Sequence, residues 1–534
     1  MEHIRLTQEG IDALLQRVKA NALDKGDYGI IKSMAEAIMT LGQAMDNKTA
    51  SIKRLLAMLF GPKTEKKDNV LKKNEPEQTD EDSKKAAPRK KDKKPPKPEK
   101  KKKGHGKRPA SKYTEADQKF ISHEKFKHKD SCPLCLNGKL YPMKKPGIAI
   151  YLKGQPPIDA TVYNLEKLRC NLCGEVFTAA APEGITGKHY DETARAMMAI
   201  LKYGYGFPWY RLEKLQESLG IPLPASTQWE KSETLADLIY PAFDELKRQA
   251  AQGEVLHNDD TTMKILDLLQ ENKTRGKNER TGIFTSGIIS LLEEGKKIAI
   301  FYTGRKHAGE NIASLFEMRD GKKDPPIQMC DALSRNMSSK FKIILCHCIT
   351  HARRGFVDVI SSFPDECRHL IETLAEVYHV DAQAKEQNMT ADERLVFHQV
   401  HSGAHMNDLR SWLDTQIKDK LAEPNSGLGK AITYMIKHWH ELTQFLRIPG
   451  APLDNNICEQ CLKRSILHRK NSMFYKTEHG AYIGDMFMSF IHTCNLMKVN
   501  ALKYLIALQK HSAQVFKNPS SWMPWNYEAT IGSM

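Results

Sequence analysis

The sequence lacks any apolar run that could cross a membrane, since none approaches the roughly 18 residues that a span needs. It also lacks the pattern of a secretory signal, because Glu2 and Glu9 stand near its N-terminus. Cysteine is sparse, with 11 in 534 residues. A large chain with few cysteines and no signal indicates a reducing compartment, where cysteines bind metals more often than they form disulfides. We therefore expect a cytoplasmic protein without a membrane segment.

Positive charge, in contrast, is in excess. The formal net charge is +16 and the pI is about 9.1, which favours a polyanionic partner. Residues 63–103 hold 17 Lys and Arg against 9 Asp and Glu, a net of +8 and half of the total. The rest is only mildly basic, so the pI is weak evidence for a folded DNA-binding surface. At 534 residues the chain should divide into several domains.

A heptad pattern marks residues 1–62 as a helical, coiled-coil region. Its seam positions are Ile31, Met34, Ile38, Leu41, Met45, Lys48, Ile52, Leu55 and Leu59. This spacing predicts a homo-oligomer through a coiled coil, with an amphipathic helix packed on its own protein as the alternative. Residues 63–112 have too few apolar side chains for a core, so we expect a disordered Lys/Pro-rich linker. It could contact phosphates or act only as a solvated spacer.

Two CxxC pairs define a zinc-finger domain over residues 113–186. The ligands would be Cys132, Cys135, Cys170 and Cys173. Four thiolates in duplicated tight pairs match one tetrahedral, structural Zn²⁺, whereas unrelated buried cysteines or a redox pair fit the spacing less well. Ile148–Tyr151 and Asp159–Tyr163 are interpreted as hairpin strands between the pairs.

Residues 187–250 show a helical pattern, with segments at 193–203, 209–219 and 227–240. Ser226 is expected to cap the third helix. The arrangement resembles a helix-turn-helix, which would bring Thr227, Gln228 and Lys231 to DNA. Three packed helices without DNA are the alternative.

Strands alternate with helices over residues 251–356. The strands are predicted at Val255–Asp259, Gly282–Leu292, Lys297–Tyr302, Ile327–Asp331 and Lys342–Cys346, with a helix at His307–Phe316. A ribonuclease H-like core has this order of elements: three strands, a helix, a strand, a helix and a strand. Asp259 and Asp331 end the first and fourth predicted strands. The predicted fold is therefore multidomain α+β.

A third carboxylate, Glu459, lies on a predicted helix that begins near Asp454. Two strand-end carboxylates and one on a later helix can hold two divalent cations about 4 Å apart. Each residue alone could instead be a turn or cap residue. The long separation of Asp331 and Glu459 predicts an all-helical insertion over residues 357–448. Residues 449–492 would then complete the core with the helix that carries Glu459 and a basic segment. Residues 493–534 would form a helical tail.

Several motifs occur in an order that resembles the transposases of the insertion sequence 66 family, in the DDE superfamily. The motifs are Leu59-Phe-Gly-Pro-Lys-Thr-Glu65, the paired CxxC knuckles, His257-Asn-Asp-Asp-Thr261, Cys348-Ile-Thr-His351-Ala-Arg353-Arg354-Gly-Phe356 and Leu453-Asp-Asn-Asn-Ile-Cys-Glu-Gln-Cys-Leu462, followed by Arg469-Lys-Asn471 and Phe474. The resemblance covers nearly everything from Ile52 to about Leu508.

The resemblance implies that Asp259, Asp331 and Glu459 are the catalytic ligands of two Mg²⁺ or Mn²⁺ ions. Asp260 stands where the family usually has Glu, so two adjacent aspartates compete for the first role. Gln460 replaces an Arg, and Ala332-Leu333 replaces a frequent Gly-Tyr.

Other residues near these motifs receive supporting roles. Cys348 and His351 are interpreted as scaffold of the active site, with a separate zinc site that includes Cys346 and His347 as the alternative. Arg353 and Arg354 would contact phosphate or an acidic neighbour. Four basic residues lie on and just after the predicted helix of Glu459: Lys463, Arg464, Arg469 and Lys470. Their position beside the glutamate favours contact with the DNA backbone over exposure to solvent alone.

The expected function is that of a prokaryotic transposase that binds transposon ends and target DNA, cuts the ends and joins them. It would act at the nucleoid, and the resemblance leaves open a need for companion proteins encoded by the element. Two alternatives remain open: a DNA-binding regulator that has lost catalysis, and a metal-dependent nuclease without strand transfer.

Overall fold

A computed structural model describes residues 189–534, apart from residues 277 and 339, and scattered positions before residue 189. The earlier positions are 14, 16–20, 27–29, 31, 111, 121, 125–135, 137–141, 143, 155–169, 171 and 176–182. The heptad positions after Ile31, the linker apart from Ser111, the predicted strand Ile148–Tyr151, and the pair Cys170 and Cys173 all lie outside the described residues. The chain divides into two compact units, Gln78–Asp159 and the remainder.

In the smaller unit, the first cysteine pair lies on a tight turn. The N–H group of Cys132 donates to the carbonyl of Gly138 at 2.7 Å, and Ser131 and Lys139 form an antiparallel bridge. Hydrogen bonds from the backbone N–H groups of Cys135 and Leu134 lower the pKa of the Cys132 thiol. A turn that favours a thiolate suits a zinc knuckle. The zinc site itself stays a prediction, because the second pair lies outside the described residues.

From Ala160 onward, the larger unit contains first a short hairpin and then three helices. The strands are β1 (Lys167–Arg169) and β2 (Val176–Thr178), and they pair antiparallel. The strand predicted at Asp159–Tyr163 is wrong, because these residues form no strand. The helices are α1 (Glu192–Ala199), which continues as a π turn over Ile200–Gly204, α2 (Trp209–Ser218) and α3 (Ala225–Ala250).

Helix α3 differs from its prediction at both ends. It begins at Ala225 after Pro224, so Ser226 lies inside the helix and does not cap it. It also continues to Ala250, through Pro241. Burial of Phe243 and other apolar side chains in the core offsets the cost of an internal proline. Helices α1 and α3 share one hydrophobic core with the sheet described next, so they do not form a core of their own.

Five strands form the main sheet: β3 (Val255–Thr262), β4 (Phe284–Leu291), β5 (Lys297–Gly304), β6 (Ile327–Cys330) and β7 (Ile344–His347). Their order is β5-β4-β3-β6-β7, with β3, β4 and β5 antiparallel and β3, β6 and β7 parallel. Helix α4 (Leu266–Glu271) follows β3, and α5 (Ala308–Phe316) joins β5 to β6. This mixed sheet is compatible with a ribonuclease H-like core.

The connection between β6 and β7 differs from the predicted order of elements. A helix was expected there, but the described residues of this connection form only a 3₁₀ turn at Ser334–Asn336. The side chains of this turn bond to carboxylates at the end of the sheet, as described below. The parallel crossover is therefore made by a loop that takes part in the site.

Helices follow the last strand, as the sequence predicted. They are α6 (Ile349–Val357), α7 (Pro364–Glu386), α8 (Ala391–His401), α9 (Gly403–Lys418), α10 (Gly427–Lys437) and α11 (Trp439–Leu442). Apolar residues of α7, α9 and α10 form one core cluster with residues of β6, β7 and α6. The helical segment is therefore packed on the sheet.

The chain then returns to the sheet with α12 (Asn456–Ser472) and α13 (Glu478–Leu496), and it ends with α14 (Ala501–Lys510), α15 (Ser512–Lys517) and α16 (Tyr527–Gly532). Helix α13 packs along β5, an edge strand. Its Asp485, Ser489 and Thr493 accept hydrogen bonds from the backbone N–H groups of Thr303, Phe301 and Ala299. These bonds satisfy donors that an edge strand would otherwise expose. Within the described residues, no helix is both long and apolar enough to cross a membrane.

Candidate active site

Asp259 and Asp331 lie side by side at one end of the sheet. Strands β3 and β6 are parallel with His257 opposite Met329, and each aspartate lies two residues further along. Side chains two residues apart share a face of a strand, so the two carboxylates emerge on the same face. The amide nitrogen of Asn336 bonds to Asp331 Oδ1 at 2.7 Å and to Asp259 Oδ1 at 3.2 Å. One amide therefore links the two carboxylates.

Glu459 reaches the same place from the first turn of α12. Burial raises the pKa of Asp259 to about 7, and the negative charges of Asp331, Asp260 and Glu459 add to this rise, against a hydrogen bond from the Asp260 N–H. A carboxyl group that is destabilised by its acidic neighbours indicates a centre that a cation would stabilise. The buried Glu459 Oε1 has no hydrogen-bond partner among the described residues.

The start of α12 is held against β3 by Asn455. Its amide nitrogen donates to the carbonyl of Asn258 at 3.0 Å, and its amide oxygen lies 3.1 Å from Nδ1 of His257. Its backbone N–H donates to Sγ of Cys348 at 3.2 Å. The Asp454-Asn-Asn456 run is thus a helix N-terminus whose middle residue also fixes the helix to the strand that carries Asp259.

Asp260 lies on the opposite face of β3, because successive side chains alternate. Its carboxylate is 2% exposed, 2.7 Å from His307 Nδ1 and 3.5 Å from Arg335 Nη2. The two adjacent aspartates therefore have different surroundings. Asp259 faces the other carboxylates, and Asp260 is held by basic groups elsewhere.

Cys348 and His351 lie beside Glu459, and the potential ligand atoms of these three residues are within 4.8 Å of one another. His351 Nδ1 is 3.8 Å from Glu459 Oε1. Burial raises the pKa of Cys348 to about 11, so its thiol stays protonated near neutral pH. The thiol accepts the Asn455 N–H, a contact that fits the predicted scaffold role.

The predicted DNA-contacting residues fall into two groups. Lys463 and Lys470 are exposed on α12. Arg464, in contrast, is half-buried and donates to His492 Nδ1 and to the Gly204 carbonyl, and Arg469 donates to Thr261 and Thr262 at the end of β3. These two arginines therefore join elements within the fold.

The residues predicted on α3 also differ from one another. Gln228 is fully buried and its amide donates to the carbonyls of Leu223 and Trp209, so the expectation that it contacts DNA is withdrawn. Thr227 and Lys231 are half-exposed, as are Arg353 and Arg354 on α6.

Three residues of the site were missed by the sequence analysis: Asn336, His307 and Arg335. Asn336 and Arg335 belong to no motif, and His307 was predicted only as the first residue of a helix. Asn336 is positioned by its backbone carbonyl, which accepts from Asn258 and Gln328. The only sequence signal is its place in the short connection after Asp331, which alone does not indicate a role.

Carboxylates gathered at the end of a mixed sheet are typical of proteins that bind divalent cations for phosphodiester chemistry. The family model for the transposase IS66 family matches residues 187–483, more than half of the chain. The chain therefore belongs to this family of insertion-sequence transposases, which implies DNA binding and the use of a divalent metal.

Two curated proteins are similar to this chain at low sequence identity. The uncharacterized protein y4jD of Sinorhizobium fredii (strain NBRC 101917 / NGR234) is 24% identical over 67% of this chain and 71% of its own length. The uncharacterized protein y4hP of the same strain is 23% identical over 64% of this chain and 63% of its own length. The chain thus spans about two thirds of these relatives, and their names describe no activity.

Proposed function

We propose that this protein is a DDE-type transposase that cuts the DNA strands at the ends of an insertion sequence and joins those ends to target DNA. Asp259, Asp331 and Glu459 would be its catalytic residues. The observation that carries the proposal is their convergence from β3, the end of β6 and the start of α12, with Asn336 between the two aspartates. Membership of the transposase family supports it.

The residues present fit a pair of Mg²⁺ or Mn²⁺ ions. Carboxylate oxygens are the hard donors that these ions prefer, and Glu459 Oε1 is a buried acceptor to which no described residue donates a hydrogen bond. Two bound ions would activate the attacking oxygen and stabilise the leaving oxygen in an in-line displacement at phosphorus. Asp259 would lose its proton on binding, because a nearby divalent charge reverses the repulsion that raises its pKa.

The surrounding residues would keep the carboxylates in place. Asn336 holds Asp259 and Asp331 at a fixed separation, and Asn455 holds the helix of Glu459 on β3. His351 lies next to Glu459 at the edge of the site, with its Nδ1 3.8 Å from Glu459 Oε1. Such outer contacts commonly contribute a factor of roughly 10–100 to metal affinity or activity.

Substrate DNA would approach along the exposed face of α12. Lys463 and Lys470 are available for the phosphate backbone, with Arg353 and Arg354 on α6 and Thr227 and Lys231 on α3 as further candidates. The Cys132, Cys135, Cys170 and Cys173 zinc finger and an N-terminal coiled-coil dimer complete the proposal. They would bind and pair the two transposon ends.

The test is strand cleavage by the purified full chain on duplexes that carry the element's terminal sequences. Asp331→Asn and Glu459→Gln should each reduce Mg²⁺-dependent cleavage by more than the roughly 100-fold loss caused by outer contacts. Glu372→Gln, an exposed residue on α7, is the matched control and should cleave normally. Wild-type cleavage by either site variant would overturn the proposal.

A second assay separates the alternative functions. A pre-cut end is mixed with plasmid DNA, and joined product is measured. Joining supports the transposase. Cleavage without joining would indicate a plain nuclease, and DNA binding with neither reaction would indicate a regulator that has lost catalysis.

A further inference from the structure

A second group of potential ligands lies at the end of β7, an edge strand of the main sheet. His347 is the last residue of β7, His438 connects α10 to α11, and Glu441 lies on α11. One ligand atom from each of the three residues lies within 4.8 Å of the others. The group combines one residue of the sheet with two residues of the helical segment that packs on it.

His347 is the unusual member of this group. Its side chain is 2% exposed, yet neither ring nitrogen has a hydrogen-bond partner among the described residues. A buried polar group normally finds a partner, because leaving it unpaired is unfavourable. The unpaired nitrogens and the adjacent His438 and Glu441 therefore point to a ligand.

Packing alone would be the simplest alternative. The rings of His347 and His438 meet edge to face at 5.0 Å, and Tyr434 contacts His438 at 4.9 Å. Packing leaves both ring nitrogens of His347 without a hydrogen-bond partner among the described residues, however. Burial lowers the pKa of His347 to about 4 and also lowers the pKa of His438, so both rings are neutral near pH 7. Neutral imidazole is the form that binds a metal.

We propose that His347, His438 and Glu441 bind one Zn²⁺ ion, or another borderline divalent transition metal. Two imidazoles and one carboxylate match the ligand preference of Zn²⁺ and leave a fourth position for water, whereas Mg²⁺ prefers oxygen ligands only. The ion would fasten the edge strand β7 to the turn between α10 and α11. This site is independent of the proposed strand-transfer centre, which uses oxygen ligands on different residues.

Zinc content of the full chain tests the proposal. Protein saturated with Zn²⁺ and freed of loosely held metal is analysed by mass spectrometry of the elements. We expect His438→Ala and Glu441→Gln each to hold one zinc ion fewer than wild type. His440→Ala is the matched control: its ring is exposed and bonds to Gln444, so its zinc content should not change. Equal zinc content in all four proteins would overturn the site.

Two further readouts separate this ion from one held by cysteines and from a folding defect. Added Zn²⁺ should raise the melting temperature of wild type and His440→Ala, but raise it less in His438→Ala, since an ion that binds only the folded state stabilises it. Cys132→Ser should keep the ion, and Co²⁺ in its place should show no sulfur charge-transfer band. Loss of all bound zinc in Cys132→Ser, together with the full wild-type zinc content in His438→Ala, would contradict the assignment.

Discussion

Asn336 carries no charge and belongs to no motif, yet its amide lies between two carboxylates that would otherwise repel each other. Asp259 and Asp331 both accept from its nitrogen, and Asn258 and Gln328 hold its carbonyl. The sequence alone indicated the charged residues because acidic groups at strand ends form a recognisable pattern. It could not indicate Asn336, whose position depends on how the β6–β7 connection folds back.

We predict that Asn336→Ala reduces strand cleavage about 10–100-fold, the range typical for residues that orient metal ligands. The reason is that the carboxylates lose their common donor and must be ordered by the metal alone. The Mg²⁺ concentration for half-maximal cleavage should therefore increase. Asn407→Ala, on the exposed side of α9, is the control. An unchanged Mg²⁺ dependence in Asn336→Ala would argue against this role.

A second residue-scale prediction concerns the buried Asp485 of α13. Burial raises its pKa from 3.8 to about 7, so the folded protein keeps a proton that the unfolded chain loses. Between these pH values the folded state binds more protons, and the contribution of Asp485 to the free energy of unfolding falls as pH rises. The slope is at most about 1.4 kcal/mol per pH unit.

Asp485→Asn tests this, because asparagine cannot ionise but can still accept from the Thr303 N–H. Urea unfolding of both proteins at pH 4.5 and 7.0 gives the comparison. The variant should gain stability relative to wild type as pH rises through this range. Parallel pH dependence in the two proteins would show that the group is not buried as described.

At the scale of elements, the position of α12 decides whether Glu459 reaches the two aspartates. The sequence predicted each strand of the main sheet from its apolar pattern, and it predicted this helix from the Asp454-Asn-Asn456 run at its start. Boundaries shifted by a few residues, as for β3, which continues to Thr262. The packing distance between α12 and the sheet is set by Gly287 of β4, which faces Leu462.

Substitution of Gly287 tests this packing. An added Cβ would lie 3.1 Å from Leu462 Cδ2, so valine should push α12 away from the sheet, destabilise the protein by about 1–3 kcal/mol and reduce cleavage more than tenfold. Gly304→Val is the control, since nothing lies within 4 Å of its Cβ position. Thermal unfolding and cleavage are measured together. Gly287→Val with normal activity would mean that the helix position is not critical.

At the scale of the whole molecule, the helical segment between β7 and α12 is part of the core. Residues of β7 and α6, including Cys346, Ile349 and Phe356, share one apolar cluster with Leu370 and Ile432. Removing the segment would expose this cluster to water, at roughly 25 cal/mol per Å² of apolar surface. The main sheet therefore depends on the segment for stability.

We predict that replacing residues 361–447 by a flexible linker yields protein that is insoluble or unfolds without cooperativity. Inserting the same linker between Gln387 and Asn388, which are exposed between α7 and α8, should leave solubility and the thermal transition nearly unchanged. Solubility and circular dichroism melting are the measurements. A soluble, cooperatively unfolding deletion protein would show that the two parts have separate cores.

The sequence by itself determined the family, the alternation of strands and helices, and the acidic residues, because these depend on local pattern and on motif order. Only the tertiary structure decided which aspartate faces Glu459, which basic residues are used inside the fold, and where the uncharged Asn336 and the buried His347 lie. These features depend on the face of a strand and on contacts between residues far apart in the chain, which local pattern does not encode.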